Sequence, residues 1–250
     1  MKKLQRNNVY ARGFTVFGHR GVPSLFRENT IQSFQKAIDL KYDGIELDVV
    51  ATKDGILIVY HDKEIKVNTH FEQIINLEYA DILSSVSESP PTLDSVLGRL
   101  GHQTNINIEI KDQGKSLERV SEKVVKHLKN HNLIDNVVVS SFNPRVIKHI
   151  KNLDDRFATA WIWGNKNLYF FNSWKLVLKY FKPQAIHISY KLINERLVKK
   201  IQANNIKVLA YTVNQEKDFL EIISKKIDGI FTDFPSILSL ARKQDLKTYL

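Results

Sequence analysis

The sequence predicts an α/β fold: a single closed (β/α)8 barrel over residues 1–250, with an extra β-hairpin strand near residues 50–60. Three observations lead there. The 250 residues contain no Pro/Gly/Ser-rich linker and no composition break, so one core is expected. Short apolar or β-branched runs alternate with amphipathic helical patterns, as parallel strands with crossover helices require. One pair of runs is too close for a crossover and must be a hairpin.

In chain order the strand candidates are Thr15–Phe17, Ile45–Val50, Ile56–Tyr60, Ile106–Ile110, Val137–Ser140, Ala158–Ile162, Ala185–Ile188, Val208–Val213 and Gly229–Thr232. Helical patterns cover Ser116–His131, Pro144–Lys151, Glu195–Asn204 and Glu216–Lys225, and a further capped helix starts near Thr92. Between Val50 and Ile56 the sequence Thr-Lys-Asp-Gly predicts a tight turn with Asp54 and Gly55 at its centre. In that register Lys53 faces Ile56, and His61 falls opposite Asp48. The mixed segment Asp62–Pro91 is expected as a lengthened loop at the active-site end. The aromatic stretch Leu168–Phe181 is expected as a helix packed on the barrel, with a membrane-contacting or oligomer face as its rival.

Composition narrows the chemistry. The chain has no cysteine, which excludes disulfides, thiolate nucleophiles and cysteine metal sites, so a metal would need oxygen or imidazole ligands. The amino-terminal MKKLQRNNVYAR is basic but has no apolar stretch behind it, and no run approaches membrane-spanning length. A cytoplasmic protein without stable membrane insertion is expected. The formal charge of +10 is spread over helices that also carry Asp and Glu, which predicts a solvated basic surface rather than a nucleic-acid partner.

Three constellations carry chemistry. Phe17-Gly18-His19-Arg20-Gly21 ends the first strand, and an arginine beside a histidine suits phosphate: the guanidinium grips two oxygens while the imidazole exchanges a proton. Arg27-Glu28-Asn29-Thr30 follows, where Asn29 reads either as a helix cap or as a site residue. Glu46 and Asp48 share one face of an apolar strand, and Glu109 repeats the pattern with Lys111 two residues on. Carboxylates on such strands are costly to bury unpaired, and a hard divalent cation, Mg²⁺ or Ca²⁺ with Mn²⁺ as a third option, suits an oxygen-only set. The alternative for Glu109 and Lys111 is a salt bridge to neighbouring strands. His61, in Tyr60-His61-Asp62, matters through its expected closeness to those carboxylates; of the other histidines only His187 is placed to face the barrel mouth.

The ordered stretches FGHRG, ENT, DGIELDV, TKDG, YHD, NIEIK, VVSSFNP, AYTVN and DGIFTDFP, from about Phe17 to Pro235, resemble the glycerophosphodiester phosphodiesterase family. The resemblance implies a TIM-type barrel and hydrolysis of glycerophosphodiesters to sn-glycerol 3-phosphate and an alcohol, with a divalent metal. By position it implies Glu46, Asp48 and Glu109 as metal ligands, His19 and His61 as general base and acid, and Arg20 and Lys111 as phosphate ligands. Glu28 and Asn29 would lie at the same site, and Ser141, Phe142, Trp161 and Asn214 would line the substrate pocket. The first nucleophile, water or the glycerol 2-hydroxyl, stays open. After His61-Asp62 the chain departs from the family pattern, and the short segment before Glu109 leaves little room for a large inserted cap. Rival readings are a lysophospholipase D or a phospholipase-C-like lyase on the same barrel, a basic nucleic-acid-binding module, and a catalytically dead scaffold.

Overall fold

The computed structural model describes residues 8–10, 13–114, 117–164 and 174–248. Eight parallel strands close a barrel: β1 (Thr15–Gly18), β2 (Gly44–Ala51), β6 (Asn105–Ile110), β7 (Val137–Ser141), β8 (Ala158–Trp163), β9 (Ala185–Ser189), β10 (Lys207–Tyr211) and β11 (Gly229–Thr232). Closure comes from β1, which pairs with both β2 and β11. Between and after the strands run α1 (Ile31–Asp39), α3 (Leu93–Leu100), α4 (Leu117–Asn130), α5 (Pro144–Leu153), α6 (Trp174–Phe181), α7 (Glu195–Gln202), α8 (Glu216–Ile223) and α9 (Pro235–Thr248). The remaining elements, β3 (Leu57–Val59), the β4 (Glu64–Val67) and β5 (His70–Gln73) hairpin, and α2 (Tyr79–Ser85), all lie between β2 and α3.

Strand alternation separates two cores. Outward residues such as Ile45, Leu47, Val49, Ile106, Ile108, Val137, Val139 and Ile186 pack under the helices. Inside the barrel, Phe17, Val138, Ala158, Ala160, Ala185, Leu209 and Phe231 form a smaller cluster, with Val9 among them. Helix starts are set by side-chain caps: Thr30 accepts from Ser33 N, Thr92 from Ser95 N, Asn143 from Arg145 N and Asn194 from Leu197 N.

Two expectations need correction. The hairpin is one residue longer in its turn than the Asp-Gly pair implied. Val49 pairs with Val59 and Ala51 with Leu57, so Tyr60, not His61, stands opposite Asp48, where its N–H donates to the Asp48 carbonyl. Lys53 takes the extra position: Thr52 faces Ile56 in its place, donating its N–H to the Ile56 carbonyl and accepting from Ile56 N at its hydroxyl, and Gly55 closes the loop at φ 77°. A one-residue slip turns side chains to the other face, yet His61 is not lost from the site, because β3 ends at Val59 and the chain bends after it. The segment Asp62–Pro91 is not a plain loop. Buried Ile65, Val67, Ile74 and Ile82 from the second hairpin and α2 make their own small core with Val50 and Ile58.

Of the aromatic stretch, Tyr169, Phe170 and Phe171 lie outside the described residues. Trp174 and Phe181 of α6 pack against the main core, and Tyr180 is exposed. Among the described residues no helix is long and apolar enough to cross a membrane.

Candidate active site

The C-terminal ends of the barrel strands enclose a cavity of about 170 Å³ lined by His19, Arg20, Glu46, His61, Asn107, Glu109, Lys111, Phe142, Ile162, His187, Tyr211, Thr212 and Phe231. Its charged wall is built by β1, β2 and β6. The register places Asp48 level with Glu109, and Glu46, two residues earlier on the same face, level with Asn107. Each of the three carboxylates offers an oxygen within 4.8 Å of the others, and all three side chains are buried.

Two cations and one amide hold this cluster. Lys111 Nζ lies 2.7 Å from both Asp48 Oδ1 and Glu109 Oε1. Arg20 Nε is 3.2 Å from Asp48 Oδ2, while its Nη1 donates to both oxygens of Glu28 at 2.9 Å. The Arg20 main chain, turned to φ 57°, donates its N–H to Glu46 Oε2 at 2.9 Å. Asn29, also at φ 57° and buried, donates through Nδ2 to Asp48 Oδ2 and accepts the Asp48 N–H at Oδ1. Thr30 is the cap of α1. Asn29 is therefore a clamp on Asp48, and its cap reading is set aside.

The electrostatics follow burial. Glu46 is pushed well above the carboxylate range by burial and by the neighbouring Asp48 charge, and Glu109 also moves up through burial. Burial pushes Asp48 the same way, but Lys111 and Arg20 outweigh it and hold it down. An oxygen-only set that resists carrying its full negative charge fits a hard divalent cation. Asn107 Oδ1, buried in the same wall without a hydrogen-bond partner among the described residues, adds a neutral oxygen donor.

Both histidines present a carboxylate at Nδ1. His19 Nδ1 is 2.8 Å from Asp233 Oδ1, and His61 Nδ1 is 2.7 Å from Asp62 Oδ1. Burial lowers the His19 pKa, but the Asp233 hydrogen bond and the Glu46 charge overcome it, so the net shift is upward. His61 moves down, through burial and then the Lys111 charge.

The pocket residues implied at sequence level divide. Phe142 lines the cavity, edge-on to Tyr211 with centroids 6.3 Å apart. Trp161 does not: the pleat turns it outward, where it stacks on Trp163 and donates Nε1–H to the Phe142 carbonyl, and Ile162 faces the cavity in its place. Ser141 is fully buried and donates to the Ile110 carbonyl, tying β7 to β6. Asn214 also stands behind the wall, donating to Asp233 Oδ2 and accepting the Asp233 N–H. Asp233, Asn107 and Tyr211 were not singled out beforehand, although each sits inside a quoted stretch: DGIFTDFP, NIEIK and AYTVN.

The model of the glycerophosphoryl diester phosphodiesterase family matches residues 19–237. The chain belongs to this family. A glycerophosphodiester phosphodiesterase of Caldanaerobacter subterraneus subsp. tengcongensis is 31% identical over 241 residues, covering 91% of this chain and 98% of that one. Among solved structures, an Oleispira antarctica phosphodiesterase in complex with the product sn-glycerol-3-phosphate superposes with a TM-score of 0.81 at 25% identity, over 92% of this chain and 98% of that one. The glycerophosphodiester phosphodiesterase of Thermotoga maritima shares the fold, with a TM-score of 0.76 at 24% identity over 92% and 99% of the two chains. As a glycerophosphodiester phosphodiesterase, the chain is a phosphoric diester hydrolase.

Proposed function

We propose that this single-domain protein hydrolyses small glycerophosphodiesters to sn-glycerol 3-phosphate and an alcohol, using a divalent cation and two histidines. The observation that carries the reading is the meeting of His19, His61 and the three buried carboxylates around one cavity. The product named for the Oleispira relative, sn-glycerol-3-phosphate, supports the substrate class.

Glu46, Asp48 and Glu109 are the residues that hold the cation, which when bound supplies positive charge and Lewis acidity to the phosphate oxygens. Arg20 and Lys111 reach the same space and neutralise further phosphate charge, while Glu28 orients the Arg20 guanidinium. His19, its Nδ1–H held by Asp233, accepts a proton at Nε2 from the nucleophile, water or the glycerol 2-hydroxyl. The new oxygen–phosphorus bond forms as the bond to the alcohol oxygen breaks; attack by water gives sn-glycerol 3-phosphate directly, and attack by the 2-hydroxyl gives a cyclic phosphate that water then opens at phosphorus. His61, held by Asp62, gives its Nε2 proton to the departing alkoxide. Phe142 and Tyr211 wall the side away from the charges. The cation is Mg²⁺, Ca²⁺ or Mn²⁺, and the enzyme works on soluble substrate in the cytoplasm.

The test is release of glycerol 3-phosphate from glycerophosphocholine, read by a coupled enzyme, with EDTA, with each metal restored, and with His19→Ala. Metal-restored release that His19→Ala abolishes is expected. Failure with every metal would overturn the reading, and a stable cyclic phosphate as end product would make the enzyme a lyase.

A further inference from the structure

Opposite the charged wall, the cavity is bounded by Phe142, Ile162, Tyr211 and Phe231, and His187 stands among them. His187 projects inward from β9 and is 2% exposed, with its ring 4.7 Å from that of Phe231. Beneath it the short 3-10 turn Asn8–Tyr10 closes the floor of the barrel: Val9 joins the inner cluster, and the Tyr10 hydroxyl reaches His187 Nε2 at 3.0 Å. That contact spans 177 residues and joins a segment outside the eight β/α units to the active-site cavity.

The hydrogen bond fixes a tautomer. The Tyr10 hydroxyl is buried, and His187 Nε2 is its hydrogen-bond partner among the described residues. Were Nε2 to carry the ring proton, the phenolic proton would be buried without an acceptor, which is costly. Tyr10 therefore donates to Nε2, and the ring proton sits on Nδ1. Nδ1 has no hydrogen-bond partner among the described residues, and the ring that carries it lines the cavity. Burial also holds the ring neutral, its pKa pulled down to about 3.

An uncharged N–H donor set in an apolar wall is poorly matched to phosphate, which the cations opposite already serve, and well matched to an alcohol oxygen. Resting on the phosphodiesterase reading above, we propose that His187 is a specificity-determining contact to a hydroxyl group of the diester, and that Tyr10 is the positioning residue that points its Nδ1–H at the substrate. The enzyme thereby separates hydroxyl-bearing diesters from phosphodiesters of similar size that lack hydroxyls. A site that hydrogen-bonds a substrate hydroxyl rejects analogues lacking it, because the buried donor is then left unpaired.

The experiment compares kcat/KM for glycerophosphocholine and for bis(4-nitrophenyl) phosphate, which has no hydroxyl, in wild type, Tyr10→Phe, His187→Phe and His187→Asn. The ratio of the two is expected to fall about tenfold in Tyr10→Phe and more in His187→Phe, chiefly through KM for glycerophosphocholine, and to recover in part in His187→Asn, which restores an N–H donor. Nitrogen chemical shifts of the His187 ring, read by NMR in wild type and Tyr10→Phe, give a second measurement independent of turnover: a proton on Nδ1 in wild type that becomes shared between tautomers without the tyrosine hydroxyl. Loss of both substrates by the same factor, or a proton on Nε2 in wild type, would overturn the proposal. Wild type that turns over bis(4-nitrophenyl) phosphate but not glycerophosphocholine would instead overturn the substrate reading on which the proposal rests.

Discussion

His19 Nδ1 lies 2.8 Å from Asp233 Oδ1, across 214 residues of chain, and the other oxygen of that carboxylate accepts from Asn214 Nδ2. His19 and His61 are thus held in different ways. His61 leans on its sequence neighbour Asp62, whose side chain is 68% exposed, whereas His19 is bound to a carboxylate locked by a second side chain and by its own main chain, since Asp233 N–H donates to Asn214 Oδ1. A carboxylate at Nδ1 keeps the proton there and leaves Nε2 as the free base, the arrangement a proton acceptor needs.

Replacing Asp233 by Asn keeps the size but allows the wrong His19 tautomer. We expect Asp233→Asn to lower kcat by about 10²–10⁴-fold with little change in KM, and Asn214→Ala to cost about tenfold by the same route. Steady-state kinetics decide it, and an Asp233→Asn enzyme within a factor of two of wild type would remove Asp233 from the mechanism.

The architecture was readable from the chain because it depends on local periodicity: all nine strand candidates correspond to strands, and the alternation of Ile45, Leu47 and Val49 with Glu46 and Asp48 announces which face meets the helices. Four things were not readable, each for a physical reason. The hairpin register turns on whether Lys53 joins the turn, which Thr52 decides by pairing with Ile56 through its N–H and its hydroxyl, and strand pattern does not report it. Trp161 and Ile162 are both buried, so hydrophobicity does not tell which of two adjacent residues the pleat points inward. Asp233 acts only through a contact made at barrel closure, where β11 meets β1, and sequence spacing says nothing of that pairing. The second hairpin, Glu64–Gln73, was missed because its burial alternates on one strand only, with Ile65 and Val67 covered and β5 largely exposed.

Asn29 and Thr30 are neighbours with separable tasks. Thr30→Ala removes the α1 cap and is expected to cost about 1 kcal/mol of stability with kcat almost intact. Asn29→Ala removes both contacts with buried Asp48 and leaves an alanine at φ 57°, so a larger loss of about 2–3 kcal/mol and a fall in kcat should appear together. Urea unfolding and kinetics on the two variants make the comparison. Equal stability losses with equal activity would return Asn29 to a capping role.

Three carboxylates packed against each other oppose one another's ionisation, and in the proposed function a cation joins them. Glu46→Gln removes a buried carboxyl group whose ionisation burial and Asp48 both oppose. We therefore expect the metal-free variant to melt at a higher temperature than metal-free wild type, by a few degrees, while calorimetry shows at least tenfold weaker Mg²⁺ or Ca²⁺ binding. Glu109→Gln should weaken binding likewise. A metal-free melting temperature that falls in Glu46→Gln, with cation binding intact, would mean that the trio is held by Lys111 and Arg20 alone.

His187 makes stability depend on pH in a calculable direction. Burial lowers its pKa from 6.5 to about 3, so between those values the unfolded chain binds a proton that the folded chain refuses. Its stabilising contribution is complete above pH 6.5 and is lost as pH falls toward 3, at up to about 1.4 kcal/mol per pH unit within that window. Measured by urea unfolding at pH 7.5, 6 and 5, the stability difference between wild type and His187→Gln should shift toward the variant as pH falls, since glutamine does not titrate. The Tyr10 hydroxyl that satisfies Nε2 sharpens the expectation, because protonating that nitrogen breaks the hydrogen bond and returns the phenolic proton to a buried site without an acceptor. A difference that stays constant from pH 7.5 to 5 would mean that His187 takes up its proton inside the folded barrel as readily as in the unfolded chain, and that the floor of the cavity is wetter than its packing implies.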